Sequence, residues 1–178
     1  MPYLSMIAQE NADAAQRTRF EDQIAAHGRI TNMKRTLLHS PKAFDVYMEW
    51  YSLAALLEEF IGQRAVSLYS YAISAGNRCL VCSTFFRKIL IDSGDDPDAP
   101  QLNEEESLLM DLGFSISEDP HHIDPAVYEA LKQRYSEEQI VALFSFAGIM
   151  AATNLFNTVA QVPLDEVLYQ YRRTRPSD

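Results

Sequence analysis

Apolar residues recur along most of the chain at the three- and four-residue spacing of amphipathic helices, and no alternating strand pattern of any length interrupts them. Ser40 and Pro41 form the clearest start signal, because a serine N-cap precedes a proline whose missing N–H costs nothing at the first helical position. Helices are predicted over residues 8–27, 41–62, 64–75, 77–94, 104–112, 125–135, 136–160 and 164–173. Asn77 is the predicted N-cap of the fourth helix, and the polar composition of the first helix gives it little to bury. The pattern therefore predicts an all-α fold.

One stretch, residues 139–164, contains no charged residue and is longer than the roughly 20 apolar residues that a membrane span needs. Four polar residues nevertheless share one helical face in its second half: Asn154, Asn157, Thr158 and Gln161. Small residues in the first half would allow a neighbouring helix to approach closely. We therefore predict a helix central to the core or to a subunit interface, and no membrane span.

Composition narrows the class of protein further. A chain of 178 residues, 47% of them hydrophobic, is long enough for one domain with a sizeable core, so residues 1–178 are predicted to form a single all-helical domain. The net charge of −10 argues against nucleic acid and anionic membranes as partners, since binding to either uses clustered Lys and Arg. No basic segment followed by an apolar one opens the chain, so we expect a cytoplasmic protein.

The only two cysteines form a CxxC motif, Cys79 and Cys82, at the start of a predicted helix. A helix N-terminus carries roughly +0.5 charge, which stabilises a thiolate and lowers the thiol pKa below its free value of about 8.5. Cys79, in the first turn, should be favoured as the thiolate. Because a CxxC pair in a cytosolic protein is typical of redox or metal chemistry, we predict Cys79 and Cys82 as a catalytic redox pair.

Other interpretations of these side chains are weaker. Cys79 and Cys82 could be two buried, inert thiols, since free cysteine is among the most buried residue types. A structural zinc ion would need two more ligands, and the adjacent pair His121 and His122 lacks the spacing of known zinc motifs. The acidic loop at residues 92–98 lacks the spaced ligands of a calcium loop. We therefore expect neither a metal nor a cofactor.

Five segments carry a resemblance to a known family, in the same order of elements: residues 28–33, 38–41, 76–82, 137–141 and 151–157. Over residues 28–166 the chain resembles the alkyl hydroperoxidase D-like and carboxymuconolactone decarboxylase superfamily, with residues 1–27 as an N-terminal helical extension. The resemblance implies an alkyl hydroperoxidase D-like helical bundle that assembles as a homo-oligomer. In the peroxidase branch, the CxxC pair cycles between dithiol and disulfide while it reduces hydroperoxides.

The chain departs from that branch at two positions. The branch has a histidine four residues after the second cysteine and a glutamate twelve residues before the first, whereas this chain has Phe86 and Ser67. Neither side chain can relay a proton as imidazole or carboxylate does, and general-base activation is typically worth about 10² to 10⁴ in rate. Three residues near the motif are candidate substitutes: His39, Tyr69 and Tyr71. We expect any peroxidase activity to be weak.

The leading hypothesis is a thiol-disulfide oxidoreductase that acts on a small-molecule hydroperoxide or disulfide and is recycled by a separate reductant. An antioxidant peroxidase is the more specific form of this hypothesis. One alternative is a non-catalytic oligomeric protein of the same fold that binds a small apolar ligand or a partner. Another is a lactone decarboxylase-like protein, although no residue here marks a site for that reaction.

A homo-oligomer is predicted independently, because a large apolar helix surface on an acidic protein usually marks a partner surface. The uncharged face at residues 140–152 should lie at or near the subunit contact. An aromatic stripe should also pack in the core or at this contact: Phe44, Tyr47 and Tyr51. The sequence leaves open whether Asn154 and Asn157 line the thiol site or an oligomer contact.

Overall fold

The computed structural model describes residues 2–173, and this part of the chain is helical, with no strand. Eight α-helices follow one another: α1 (Ala14–His27), α2 (Asn32–Leu37), α3 (Pro41–Met48), α4 (Trp50–Gly76), α5 (Leu80–Asp92), α6 (Glu104–Glu118), α7 (Pro125–Arg134) and α8 (Glu137–Val159). Two short 3₁₀ helices, Gln9–Asn11 and Glu166–Tyr171, lie near the two ends. The all-α prediction is confirmed.

Helix α4 is the centre of the bundle and packs against α5, α6 and α8. Its C-terminal half is buried almost completely, including Tyr69 and Ala72. Gly113 of α6 lies directly against these two residues, since a Cβ atom there would come within 2.9 Å of the Ala72 Cβ. The close approach of α4 and α6 therefore depends on this glycine.

The path of α4 bends at Gly62, where the backbone adopts φ 79° and ψ 158°. This conformation lies outside the range that L-residues ordinarily adopt, so glycine is required at the kink. The predicted helix end at residue 62 coincides with the kink. A second break, between the end of α3 at Met48 and the start of α4 at Trp50, was not predicted.

The N-terminal helices form a smaller core of their own. Phe20 of α1 is buried against Leu37, Leu38 and Phe44, although the polar composition of the first segment predicted little burial. Phe156 of α8 packs against the same cluster and connects it to the main bundle.

Helix α8 begins with the capping box that the spacing of Ser136 and Gln139 indicates. By length and composition it is the one helix within residues 2–173 that could cross a membrane, with a mean hydropathy of 1.6 over a window that is 39% buried. A core helix meets the same criteria, and one face of α8 packs against α4 here. The opposite face leaves Val141, Leu155 and Val159 exposed.

The turn between α4 and α5 differs from the prediction. Asn77 was expected to cap the next helix, but it has right-handed helical angles and ends α4 instead. Arg78 then adopts a positive φ of 55°, which turns the chain. Helix α5 therefore starts two residues later than expected, and Cys79 takes the N-cap position.

Candidate functional site

Cys79 caps α5 with its sulfur atom. Its backbone is extended, and its Sγ accepts a hydrogen bond from the backbone N–H of Cys82 at 3.3 Å. Serine, threonine or aspartate oxygens usually accept this bond at a helix N-terminus. A sulfur atom in their place lies where the backbone donors and the positive end of the helix dipole favour negative charge.

The two thiols of the motif face each other. Their Sγ atoms are 2.6 Å apart, and both residues are buried, with Cys79 1% and Cys82 5% exposed. The Nδ2 group of Asn157, near the end of α8, donates a hydrogen bond to the Cys82 Sγ at 3.1 Å. The predicted site residues therefore lie together, and Asn157 joins them from another helix.

The two thiols have opposite acidities. Hydrogen bonding from the Cys82 thiol lowers the pKa of Cys79, backbone N–H groups add to this effect, and burial partly offsets it. The pKa of Cys82 is raised well above the ordinary value because its thiol donates to Cys79 and because it is buried. Cys79 therefore loses its proton more readily than Cys82 does.

Cys82 lines a cavity of about 420 Å³, and Cys79 lies behind it, outside the lining. Asn157 is also part of the lining. The cavity is largely apolar, with walls formed by Met33, Trp50, Val81, Phe85, Phe86, Ile89, Met150 and Leu168. A small apolar molecule in this space would meet the sulfur of Cys82 first.

A cluster of polar residues lines another part of the same cavity. Lys34 of α2 is only 4% exposed, and its ammonium donates hydrogen bonds to the Tyr51 hydroxyl at 2.7 Å and to the Gln23 side-chain carbonyl. Burial lowers the pKa of Lys34 to about 8 and raises that of Tyr51 to about 12. Sequence reasoning missed Lys34, since a lysine in a short helix normally faces solvent.

The two positions that depart from the peroxidase branch lie in different places. Phe86 lines the thiol cavity and packs edge-on against Trp50, with ring centroids 6.5 Å apart. Ser67 lines a second cavity of about 520 Å³ and donates its hydroxyl hydrogen bond to the Gln63 carbonyl. Neither residue places a proton acceptor at the thiols.

The three candidate substitutes for the proton relay are not in the lining of the thiol cavity. Tyr69 donates its hydroxyl proton to the Leu143 carbonyl in the core. His39 is exposed and its ring contacts Ser5. Tyr71 is buried on α4, outside the cavity. The nearest group able to take a proton from Cys82 is therefore the sulfur of Cys79.

The other candidate ligands have local partners. His122 pairs with Asp119 on an exposed turn. In the acidic loop, Asp95 pairs with Arg64, and Asp98 pairs with Arg87. No cluster of three or more His, Cys, Asp or Glu side chains suited to a metal occurs within the described part of the chain.

The two asparagines of α8 have different roles. Asn157 contacts Cys82, whereas Asn154 accepts a hydrogen bond from the Ser74 hydroxyl at 3.3 Å. Both are buried inside the chain. Of the two alternatives that the sequence left open, Asn157 lines the thiol site.

Comparisons with known proteins identify the fold. No family model matches the sequence, and no curated protein matches it. Among solved structures, the chain is similar to the debrominase Bmp8 in its apo form, with a TM-score of 0.77 and 16% identity over 94% of this chain and 95% of the other. The chain is also similar to a peroxidase-related protein from Ralstonia eutropha JMP134, described as an alkylhydroperoxidase AhpD core. The TM-score is 0.69 and the sequence identity 13%, over 94% of each chain. A peroxidase-related protein from Silicibacter sp. TM1040 has a TM-score of 0.71 and a sequence identity of 15%, over 90% of this chain and 92% of the other.

These likenesses establish the class of fold. The chain has the alkyl hydroperoxidase D-like helical fold that its motifs resemble. At identities of 13 to 16%, the comparisons show the fold alone. The function depends on the thiol site and its cavity.

Proposed function

We propose that the protein is a thiol-dependent oxidoreductase whose Cys79–Cys82 dithiol transfers two electrons to a small molecule bound in the cavity. One observation carries the proposal: two sulfurs in contact, one of them lining a largely apolar cavity and the other buried behind it. An inert buried thiol has no need of an adjacent cavity or of a side-chain donor such as Asn157.

A hydroperoxide is the first substrate class that this arrangement suits. Cys82 passes its proton to the Cys79 sulfur, and the resulting Cys82 thiolate attacks the terminal peroxide oxygen. The O–O bond breaks, the alkoxide takes the proton from Cys79, and Cys82 becomes a sulfenic acid. Cys79 then attacks the Cys82 sulfur, hydroxide leaves, and a disulfide remains. A separate reductant must restore the dithiol.

In this scheme Cys79 replaces the missing histidine and glutamate as the base. The hydrogen bond from Asn157 stabilises the thiolate when the charge lies on Cys82. Because the pKa of Cys79 is lowered and that of Cys82 is raised, a negative charge on the dithiol lies mainly on Cys79, and only a small fraction of Cys82 is ionised at any time. We therefore expect slower turnover than in enzymes with a dedicated proton relay.

The test is peroxide consumption with single-cysteine variants. Wild-type protein should consume tert-butyl hydroperoxide in the presence of dithiothreitol, whereas Cys82→Ser should reduce the rate to that of dithiothreitol alone. Cys79→Ser loses the base and the disulfide partner, so with hydroperoxide and no dithiothreitol it should form sulfenic acid on Cys82 slowly and no intramolecular disulfide. Equal activity in wild type and Cys82→Ser would refute the proposal. If both thiols are unreactive in the folded protein, the non-catalytic ligand-binding alternative is correct.

An organic bromide is the second substrate class, favoured by the similarity to a structure named as a debrominase. The electron count is the same, because an organic bromide and two thiols give the debrominated molecule, hydrogen bromide and a disulfide. Bromide release from a brominated aromatic compound, measured beside peroxide consumption, separates the two classes. Bromide release that depends on Cys82 would favour an organic bromide as the substrate. Peroxide consumption without bromide release would favour a hydroperoxide.

We also propose that the chain forms a homo-oligomer through the exposed face of α8. Val141, Leu155 and Val159 lie on this face, and Gly148 has open space beside it. The predicted aromatic stripe is packed within the chain, with Phe44 buried, so the α8 face alone supports the proposal.

Light scattering at micromolar concentration tests the assembly. Leu155→Lys should give a monomer, because a charge would be buried at the contact. Val46→Lys is the matched control, since Val46 is exposed to a similar degree but lies on α3. A wild-type monomer, or the same effect from both variants, would contradict the proposed contact.

A further inference from the structure

Lys34 holds a positive charge in the wall of the thiol cavity with no carboxylate in salt-bridge contact, although Asp165 attracts it and Arg29 repels it at longer range. Its ammonium contacts the Tyr51 hydroxyl and the Gln23 carbonyl, both uncharged, and no salt bridge to Lys34 occurs among residues 2–173. Burying an ammonium group is costly unless a partner compensates it. The buried Lys34 ammonium is therefore energetically unfavourable on its own, and it lies in the cavity wall, where a small molecule can reach it.

Two hydrogen-bond donors remain free in this cluster. The Lys34 ammonium has three N–H groups, and only two of them have acceptors in the described chain. Tyr51 accepts a bond from Lys34, so its own proton is free, and no acceptor for it lies within residues 2–173. Burial keeps this hydroxyl protonated by raising the pKa of Tyr51 to about 12. An ammonium N–H and a phenolic O–H on adjacent groups match the two oxygens of a carboxylate.

The other charged groups of the cavity leave it positive overall. Among residues 2–173, Asp165 is the only carboxylate in the lining, and its Oδ1 accepts a hydrogen bond from the backbone N–H of Asn32 at 2.9 Å. Burial raises the pKa of Asp165, while Arg29 and Arg35 counter that effect. Lys88 also lines the cavity but is already paired with Asp92.

The remaining titratable neighbour, His27, stacks on the Tyr51 ring with centroids 4.7 Å apart. Burial and the Lys34 charge lower the pKa of His27, so it is neutral at pH 7. Arg29, on the turn after α1, adds a second cation to the lining. Among residues 2–173, the lining charges without a salt bridge are therefore the cations of Lys34 and Arg29 and the single carboxylate of Asp165, which leaves one net positive charge.

A continuous series of aromatic contacts joins this cluster to the thiols. Tyr51 lies against Trp50 with ring centroids 4.2 Å apart, and Trp50 meets the edge of Phe86 at 6.5 Å. Phe86 is one helical turn beyond Cys82 on α5. One molecule can therefore contact apolar rings along its length, with an anionic group at Lys34 and its remaining part directed toward Cys82.

We propose that the cavity binds an apolar, aromatic-sized molecule with one anionic group, held by Lys34 and Tyr51. This inference names the substrate class of the proposed reaction and so rests on the proposed function. Binding, however, is measurable without turnover. The expected ligand is a carboxylate or another single-charge anion with an apolar body, and an uncharged analogue of the same shape should bind less well.

Trp50, the only tryptophan, lines the cavity and reports binding through its fluorescence. The probes are 4-phenylbutanoate and 4-phenylbutanamide, which share a shape but differ in charge. At pH 7 the carboxylate should bind at least about tenfold more tightly than the amide. The preference should decline as pH rises through about 8, where Lys34 loses its proton.

Lys34→Met removes the charge and keeps the length of the side chain. It should abolish the preference for the carboxylate while the amide binds as in wild type, which shows that the cavity is intact. Tyr51→Phe should reduce the preference by a few-fold. Lys132→Met is the matched control, because Lys132 is exposed on α7 and should leave both affinities unchanged.

Three results would overturn the inference: equal binding of the two probes, a preference that persists in Lys34→Met, or no carboxylate binding at millimolar concentration. The same titration beside the peroxide-consumption assay, both on wild-type protein, separates this inference from the proposed function. Carboxylate binding without any thiol reaction would refute the redox function alone. Thiol reaction with an uncharged substrate, and no preference for the carboxylate, would refute the Lys34 site alone.

Discussion

Two polar clusters on α4 show opposite arrangements of charge. Near the kink, Arg64 donates hydrogen bonds to both carboxylate oxygens of Asp95 and to Glu106, so every charge has an opposite partner. At the start of the same helix, Tyr51 contacts Lys34, whose ammonium has only uncharged partners. Both clusters border a cavity, but only the second shares its cavity with Cys82.

The difference indicates what each cluster is for. Arg64 connects α4 to the loop after α5 and to the first turn of α6, where Glu106 also forms a capping box with Asn103. Burial raises the pKa of Glu106, but hydrogen bonds from Arg64 and Asn103 hold it below its ordinary value. This network stabilises the fold. Lys34 has no such ion pair, which agrees with the anionic ligand that we propose as its partner.

The largest expected effect is a difference in stability between variants of the Arg64 cluster and variants of the Lys34 cluster. Arg64→Met leaves the buried Glu106 without its cation and should lower the free energy of unfolding by about 3 kcal/mol. Lys34→Met should change it by less than about 1 kcal/mol at pH 7, because the lost hydrogen bonds are offset by removal of a buried charge. Urea unfolding measures both. Equal losses would mean that Lys34 is also a structural group.

The pH dependence of stability sharpens the same comparison. The pKa of Lys34 is about 8 in the folded protein and 10.5 ordinarily, so between these values the unfolded chain binds more protons. The cost of the buried ammonium is therefore fully present below pH 8 and is relieved as pH rises toward 10.5. Wild type should gain about 2 kcal/mol relative to Lys34→Met between pH 7 and pH 10. A constant difference between the two proteins across this range would show that Lys34 titrates normally.

The sequence predicted much of the fold but only half of the site. Helix periodicity and the capping box at Ser136 are local features, and so is the CxxC motif. The position of Lys34 is not local: contacts with α1 and α4 bury it, and both form only on folding. The N-cap shifted from Asn77 to Cys79 because Arg78 adopts a positive φ, which no residue pattern signals for an arginine.

At the thiol end of the cavity, Asn157→Leu should slow the reaction of Cys82 by about tenfold, since the thiolate loses a hydrogen bond donor. The rate against pH should also shift to higher pH, which a purely structural effect would not produce. Asn154→Leu is the matched control one turn earlier on α8, where the side chain contacts Ser74. Equal slowing in both variants would exclude a specific role for Asn157.

The smallest effect concerns the absent proton relay. Phe86→His should raise the rate of thiol reaction only about threefold, because the imidazole would enter a largely apolar wall and lose much of its basicity. Ser67→Glu should add nothing, since Ser67 lines the cavity beside Arg64 and not the thiol cavity. A large gain from Ser67→Glu would contradict the placement of Ser67 outside the thiol cavity.

The central claim is that Cys79 and Cys82 act as one two-electron redox unit. Fully reduced protein mixed with one equivalent of tert-butyl hydroperoxide, then alkylated and analysed by mass spectrometry, tests it most directly. We predict that one peroxide is consumed per chain and that both thiols become protected together in an intramolecular disulfide, faster than in unfolded protein. Free thiols after complete mixing, or disulfides only between chains, would contradict the claim.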